Sequence, residues 1–234
     1  MRLIFKLKYP KKEDVLKYLC NYRKYYGLKH FYLVYPELKN KKDIEIAKFF
    51  NKNKEMILKK LEIRKKQIEK NWNKMNDSYF KKIEIITKFK WRKENYYCYL
   101  SPLDIGEYNP IKRNIIIIFA FNHPKYINQI IAEELYHLHY WNYLENEFDL
   151  DVKKEWGKKK QWRLSEAVAM LILEELGFKC GGNYWDKKVN KLYWKLRPFW
   201  ENKESFKDFI SKSLKIKNYL QGHGGQGQGP RQPT

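Results

Sequence analysis

The chain lacks the features that mark disulfide-bonded secreted proteins and membrane-spanning proteins. It has three cysteines among 234 residues, far apart and without a Cys-x-x-Cys pair, so we expect reduced core thiols. The longest uninterrupted apolar run, Ile115 to Phe121, is much shorter than the roughly 20 residues that span a bilayer. The N-terminus has no signal-peptide core. We therefore expect a cytoplasmic protein without membrane association.

Acidic residues are scarce compared with basic ones. The 49 lysines and arginines exceed the 27 acidic residues and give a net charge of +22, which makes nucleic acid a conceivable partner. The lysines are spread over most of the chain, and Lys, Asn, Ile and Tyr are all abundant, as biased coding would produce. A solvated lysine-rich surface is the favoured interpretation, and nucleic acid is the less favoured one.

Residues 1–95 are predicted to form a lysine-rich, mostly helical α+β region. Alternating apolar and basic residues in "MRLIFKLKY" predict a first strand, and "HFYLVYP" predicts a second. Between Asp43 and Asn73 there is neither Gly nor Pro, and apolar residues recur at roughly helical spacing. This segment is predicted to be one long helix, or two helices joined near Asn51 to Lys54. A further helix is expected to begin at Asp77 or Ser78.

Residues 96–220 are predicted to form the core and the C-terminal helices. "YYCYLSP" and "NIIIIFAF" favour strands, and the turn-rich "SPLDIGEYNPIKR" joins them. A helix containing "IIAEELYHLHYW" follows, and "RLSEAVAMLILEELGF" predicts a deeply buried second helix. Two peripheral helices divided by Pro198 come next. The Gly/Gln-rich residues 221–234 are expected to be a disordered or non-native tail.

The first of these helices concentrates ionisable groups on an otherwise apolar run. Glu133 and His137 are four residues apart, so they project from one face of the helix and can hold one ion. Glu134 lies a further 100° or so round the helix. It can therefore reach a water on that ion without binding the ion itself.

This segment resembles the active helix of the zincin metallopeptidases, with the first His of H-E-x-x-H replaced by Glu133. The order of strand, short turn, active helix and second buried helix opening with an acid is similar to the gluzincin branch. The resemblance covers roughly Tyr96 to Gly177. It implies an α+β, zincin-like fold: a small mixed sheet, an active-site helix and a second buried helix carrying a Glu, here with long basic helices added.

The resemblance also implies a reaction and a set of site residues. Glu133, His137 and Glu166 would bind Zn²⁺, or a harder ion such as Mn²⁺ because the set is rich in carboxylates. Glu134 would be the general base, and metal-bound water would hydrolyse a bond of a peptide or protein substrate. The substrate would lie as an added strand along an edge strand made of Ile115, Ile116, Ile117, Ile118 and Phe119. Three carboxylates around one cation leave it less able to acidify water, so weakened or absent activity is expected.

Two further residues, His139 and Arg163, are candidates for supporting the ligands, although His139 falls on the opposite side of the helix and also suits packing. A lysine could instead neutralise the buried carboxylates, and Glu166 could simply be an acid at a helix N-terminus. A di-iron bundle would need a second E-x-x-H, and the sequence has none.

The alternative to an enzyme is a binding protein. One form is a pseudo-peptidase that holds a peptide partner. The other is a nucleic-acid-binding module formed by the basic helices between Lys41 and Lys93, with Trp72, Tyr79 and Trp91 among them.

Overall fold

The computed structural model describes residues 1–25, 28–103, 106–180 and 186–216. Within these ranges ten α-helices and four strands follow one another along the chain. Their bounds are β1 Arg2–Leu7, α1 Lys12–Tyr25, α2 Lys29–Val34, α3 Asp43–Lys52, α4 Lys54–Asn73, α5 Asn76–Thr87, β2 Asn95–Ser101, β3 Glu107–Tyr108, β4 Ile115–Phe119, α6 Pro124–Phe148, α7 Val152–Glu155, α8 Lys159–Glu175, α9 Lys187–Glu201 and α10 Phe206–Leu214. The predicted tail, 221–234, lies outside the described residues.

The four strands form one small mixed sheet in the order β1-β2-β4-β3. β1, β2 and β4 are parallel, and β3 is antiparallel to β4. The α+β class predicted from the sequence is therefore confirmed. β1 pairs with β2 along its whole length, from Arg2 opposite Asn95 to Leu7 opposite Leu100, so the sheet takes strands from both sides of the predicted boundary at residue 95.

The prediction that Ile115–Phe119 form the edge of the sheet is wrong. β4 has β2 on one side and β3 on the other, with Tyr108 opposite Ile116 and Glu107 opposite Ile117. The segment before β4, predicted only as a turn, contains the two-residue strand β3. Two residues are too few to show the alternation of apolar and polar side chains that predicts a strand. The outer strand at this side is therefore β3.

The prediction of a second strand at "HFYLVYP" is also wrong, because this segment forms α2 and the turn after it. Phe31 and Tyr35 are four residues apart, and both are buried. Their ring centroids are 5.1 Å apart, as expected for neighbours one helical turn apart. Alternating and helical patterns are hard to separate in so short an apolar run.

The long helical segment divides at Asn53, which confirms the two-helix alternative. The side-chain amide of Asn53 donates to the Phe49 carbonyl at 2.9 Å and satisfies an acceptor at the end of α3. α5 begins at Asn76, slightly before the predicted start. Pro198 does not divide the C-terminal helices, because α9 continues through it to Glu201.

α6 is the central helix of the fold, with 25 residues and contacts to α4, α8, β3 and β4. The guanidinium of Arg64 in α4 fixes the turn that leads into it. It donates to the Ala120 carbonyl at 2.9 Å and to the Asn122 carbonyl at 2.6 Å. No helix in the described ranges combines the length and the apolar composition needed to cross a bilayer.

Candidate metal centre

α6 and α8 bring together the three residues that were predicted from the sequence to be metal ligands. One ligand atom from each of Glu133, His137 and Glu166 lies within 4.8 Å of the other two. Nε2 of His137 is 3.4 Å from Oε2 of Glu166. The four-residue spacing on α6 places the first two side chains on one face, and α8 packs against that face.

The packing around the cluster explains why these polar groups meet inside the protein. Ile131, Ala132 and Leu135 are fully buried beside the ligands on α6, and α8 is buried continuously from Leu164 to Leu173. His137 is 1% exposed and Glu166 is 4% exposed. Ionised groups so far from water need a partner of opposite charge.

The cluster combines two carboxyl groups with one imidazole, and their pKa values show how strongly these groups act on one another. Burial and the neighbouring Glu166 carboxylate together raise the pKa of Glu133 to about 7, although His137 opposes the rise. Burial would lower the pKa of His137, but the Glu166 and Glu133 carboxylates outweigh it, and the pKa is raised. Two carboxylates and one imidazole are a donor set that suits Zn²⁺, and the carboxylates suit Mn²⁺ as well. The residues therefore fit a divalent cation.

Glu134 lies beside the cluster and has a buried oxygen, Oε2, without a hydrogen-bond partner among the described residues. Burial raises the pKa of Glu134 well above its ordinary value, and Glu133, Glu166 and Glu107 add to the rise. A group that takes a proton from water and gives it up again needs such a raised pKa.

The backbone at Gly106 lies directly against the side chain of Glu134. A Cβ added at Gly106 would collide with Oε1 of Glu134 and would lie 3.1 Å from Cγ2 of Ile130. A side chain at this position would therefore have to displace the carboxylate or the segment that leads into β3.

Tyr108, on β3, is a residue of the site that the sequence analysis missed. Its ring stacks on His137, with centroids 4.5 Å apart and an interplanar angle of 24°. Its hydroxyl oxygen accepts a hydrogen bond from Nε1 of Trp141 at 3.1 Å. The tyrosine belongs to the turn-rich segment before β4, where no spacing of residues pointed to the site.

His139 faces away from the cluster and packs in the core. Its Nε2 is 3.0 Å from Oγ1 of Thr87, and its ring centroid is 4.5 Å from that of Trp91. Burial lowers the pKa of His139 to about 3, so the ring is neutral at physiological pH. Of the two roles considered for His139, the structure favours packing.

Arg163 is buried and forms an ion pair with Asp186, Nε to Oδ2 at 3.2 Å. Asp186 also caps α9 by accepting from the backbone N–H of Lys188. This contact joins α8 to the start of α9, which is a structural role different from the predicted support of Glu166.

The aromatic residues of the alternative nucleic-acid module are not available for stacking. Trp72 is 0% exposed, Tyr79 is 2% exposed and Trp91 is 7% exposed. Base stacking requires an accessible ring face. This module could therefore contact nucleic acid through its charges, and not through these three rings.

Comparison with known proteins adds no family assignment: no family model, no curated protein and no solved structure matches the chain.

Proposed function

We propose that this protein is a metal-dependent peptidase with a zincin-like architecture. Glu133, His137 and Glu166 hold a divalent cation, Zn²⁺ or Mn²⁺, and Glu134 is the general base. The observation that carries the proposal is the meeting of the three ligand atoms within 4.8 Å, from two different helices. The resemblance of the α6 segment to H-E-x-x-H supports it, because the same four-residue spacing places a ligand pair and a base on one turn.

A bound cation supplies a Lewis acid that polarises the scissile carbonyl and acidifies a neighbouring water. His137 is neutral when it binds, so the two carboxylates bring two negative charges to the cation. This ligand set leaves the water less acidic than a set richer in histidine would. We therefore expect slow hydrolysis.

Glu134 takes a proton from the attacking water and delivers it to the leaving amine. The geometry suits this role, since Glu134 follows Glu133 directly and its Oε2 has no partner among the described residues. A buried carboxylate oxygen that accepts no hydrogen bond from these residues is available to accept one from a water molecule. General acid–base catalysis of this kind contributes about 10²- to 10⁴-fold to a rate.

The substrate is proposed to be an extended peptide that adds to the outer side of β3. Among the described strands, β3 stands at the end of the sheet, so a further strand would add at this side. Tyr108 of the same strand contacts the ligand His137, which places this edge beside the cluster. Strand addition is a common way for proteins to hold an extended peptide.

The test is to measure the metal content and the casein hydrolysis of the wild type and of Glu134→Gln, after loading with Zn²⁺ or Mn²⁺. The variant should bind the cation and lose about 10²- to 10⁴-fold in rate. Glu147→Gln is a matched control, because Glu147 is on the same helix and pairs with Lys207 at 2.9 Å. Failure of the wild type to bind either cation, or equal rates for wild type and Glu134→Gln, would contradict the proposal.

A pseudo-peptidase is the second candidate function, and the carboxylate of Glu133 at the histidine position favours it. In that case the wild type binds the cation and a peptide but does not cleave the peptide. Glu133→His removes one negative charge from the cluster and should then give measurable casein hydrolysis. Slow cleavage by the wild type itself would favour the enzyme over the pseudo-enzyme.

A further inference from the structure

Tyr108 contacts α6 at the proposed ligand His137. We infer that Tyr108 is a positioning residue that holds the imidazole of His137 in the orientation that binds the cation. This inference rests on the proposed function, and it adds a third element, β3, to the site.

The first contact is with the imidazole on α6. The rings of Tyr108 and His137 are stacked, with centroids 4.5 Å apart and an angle of 24° between their planes. Nδ1 of His137 is buried and has no hydrogen-bond partner among the described residues. No hydrogen bond at that nitrogen therefore fixes the ring, and stacking by Tyr108 restricts the direction in which Nε2 points.

The second contact is made by the hydroxyl group. It accepts from Nε1 of Trp141 at 3.1 Å, and Trp141 lies one turn after His137 on α6. The phenol of Tyr108 thus contacts α6 twice, once at the proposed ligand and once a turn later.

These contacts matter because a cation binds well only when Nε2 of His137 points towards it. Residues that orient metal ligands from outside commonly change metal affinity by about 10- to 100-fold when they are removed. The ring of Tyr108 orients His137 directly, and its hydroxyl group holds that ring in place through Trp141. Loss of its ring should therefore affect the cation more than loss of its hydroxyl alone.

The experiment is a Co²⁺ titration of the folded chain, followed by the visible absorption of the bound ion and by competition with a chelator. Tyr108→Leu should weaken Co²⁺ binding by about 10- to 100-fold and change the absorption spectrum. Tyr108→Phe keeps the ring and should show a smaller loss of affinity. Tyr193→Phe is the control, because that hydroxyl donates to Glu174 on the same helix α8 at 2.7 Å but belongs to no part of the proposed site.

Each outcome decides the inference. Graded losses in Tyr108→Leu and Tyr108→Phe, with Tyr193→Phe like the wild type, support it. Equal affinity and equal spectra for wild type and both Tyr108 variants overturn it and leave the proposed metal site in place. A wild type that binds no Co²⁺ overturns both. Should Tyr108→Leu fail to fold, Tyr108→Phe alone decides, because a hydroxyl with no positioning role would leave affinity and spectrum unchanged.

Discussion

Two histidines on the same turn of α6 have opposite pKa shifts, although both are buried. His137 and His139 are each 1% exposed, but the pKa of His137 is raised and that of His139 is lowered to about 3. His137 faces two carboxylates, whereas His139 faces Trp91 and the Thr87 hydroxyl. Burial acts on both rings, and only neighbouring negative charge reverses its effect.

Burial alone therefore does not mark a functional histidine. The difference lies in which face of α6 each side chain occupies, since a separation of two residues turns the helix by roughly 200°. The face of His137 meets α8 with its glutamate. The opposite face contacts aromatic residues near α5 and is part of the ordinary core.

Replacing each histidine in turn should change metal binding for one ring and stability for the other. His137→Ala should reduce the affinity for Zn²⁺ by more than about 100-fold, since even outer contacts to a ligand are worth 10- to 100-fold. His139→Ala should leave one cation bound and lower the free energy of unfolding by about 2 to 4 kcal/mol, as large-to-small core substitutions do. Equilibrium dialysis and denaturant unfolding measure the two quantities. Similar loss of Zn²⁺ in both variants would contradict the comparison.

The second prediction concerns the base beside His137. Gly106→Ala places a Cβ against the Glu134 carboxylate and should displace it, lowering casein hydrolysis by about 10- to 100-fold while the bound Zn²⁺ remains. Gly157→Ala is the matched control, because a Cβ there meets nothing within 4 Å. An unchanged rate in Gly106→Ala would show that Glu134 does not act from this position.

The third prediction is a dependence of stability on pH in the metal-free protein. The pKa of Glu133 is about 7 in the folded protein, above its ordinary 4.5. The contribution of Glu133 to the free energy of unfolding is therefore fully present below pH 4.5 and is lost as the pH rises through about 7. His137, whose pKa is also raised, acts in the same direction. His139, whose pKa is lowered, loses its contribution as the pH falls below 6.5.

The variant Glu133→Gln isolates one of these groups. Its free energy of unfolding, relative to wild type in the presence of a chelator, should increase between pH 4.5 and pH 8 by up to about 3 kcal/mol. His139 is common to both proteins and cancels in the difference. A difference that stays constant or falls over this range would mean that Glu133 is not held in the environment described.

The fourth prediction, with the smallest change, concerns the protonation of the two imidazole rings. Nuclear magnetic resonance of the metal-free protein should show His137 titrating above pH 6.5 and His139 remaining neutral down to the acid limit of folding. Added Zn²⁺ should abolish the titration of His137, because a ligating imidazole is deprotonated, and leave His139 unaffected. Two histidines that titrate together would contradict the assignment of opposite environments.

Much of this arrangement could be predicted from sequence because it depends on helical spacing. The pair Glu133 and His137 and the buried helix with Glu166 follow from i, i+4 geometry and a continuous apolar run. Strand β3 could not be predicted, since its two residues are positioned by pairing with β4 and leave no local period. Tyr108 was missed for the same reason: its contacts with His137 and Trp141 exist only when the sheet packs against α6.

Anomalous diffraction at the zinc absorption edge, from crystals of the wild-type chain loaded with Zn²⁺, tests directly whether the three residues bind a cation. We expect one strong anomalous peak about 2.0 to 2.2 Å from Nε2 of His137 and from carboxylate oxygens of Glu133 and Glu166. A crystal with zinc bound only at surface residues, and no peak between α6 and α8, would contradict it.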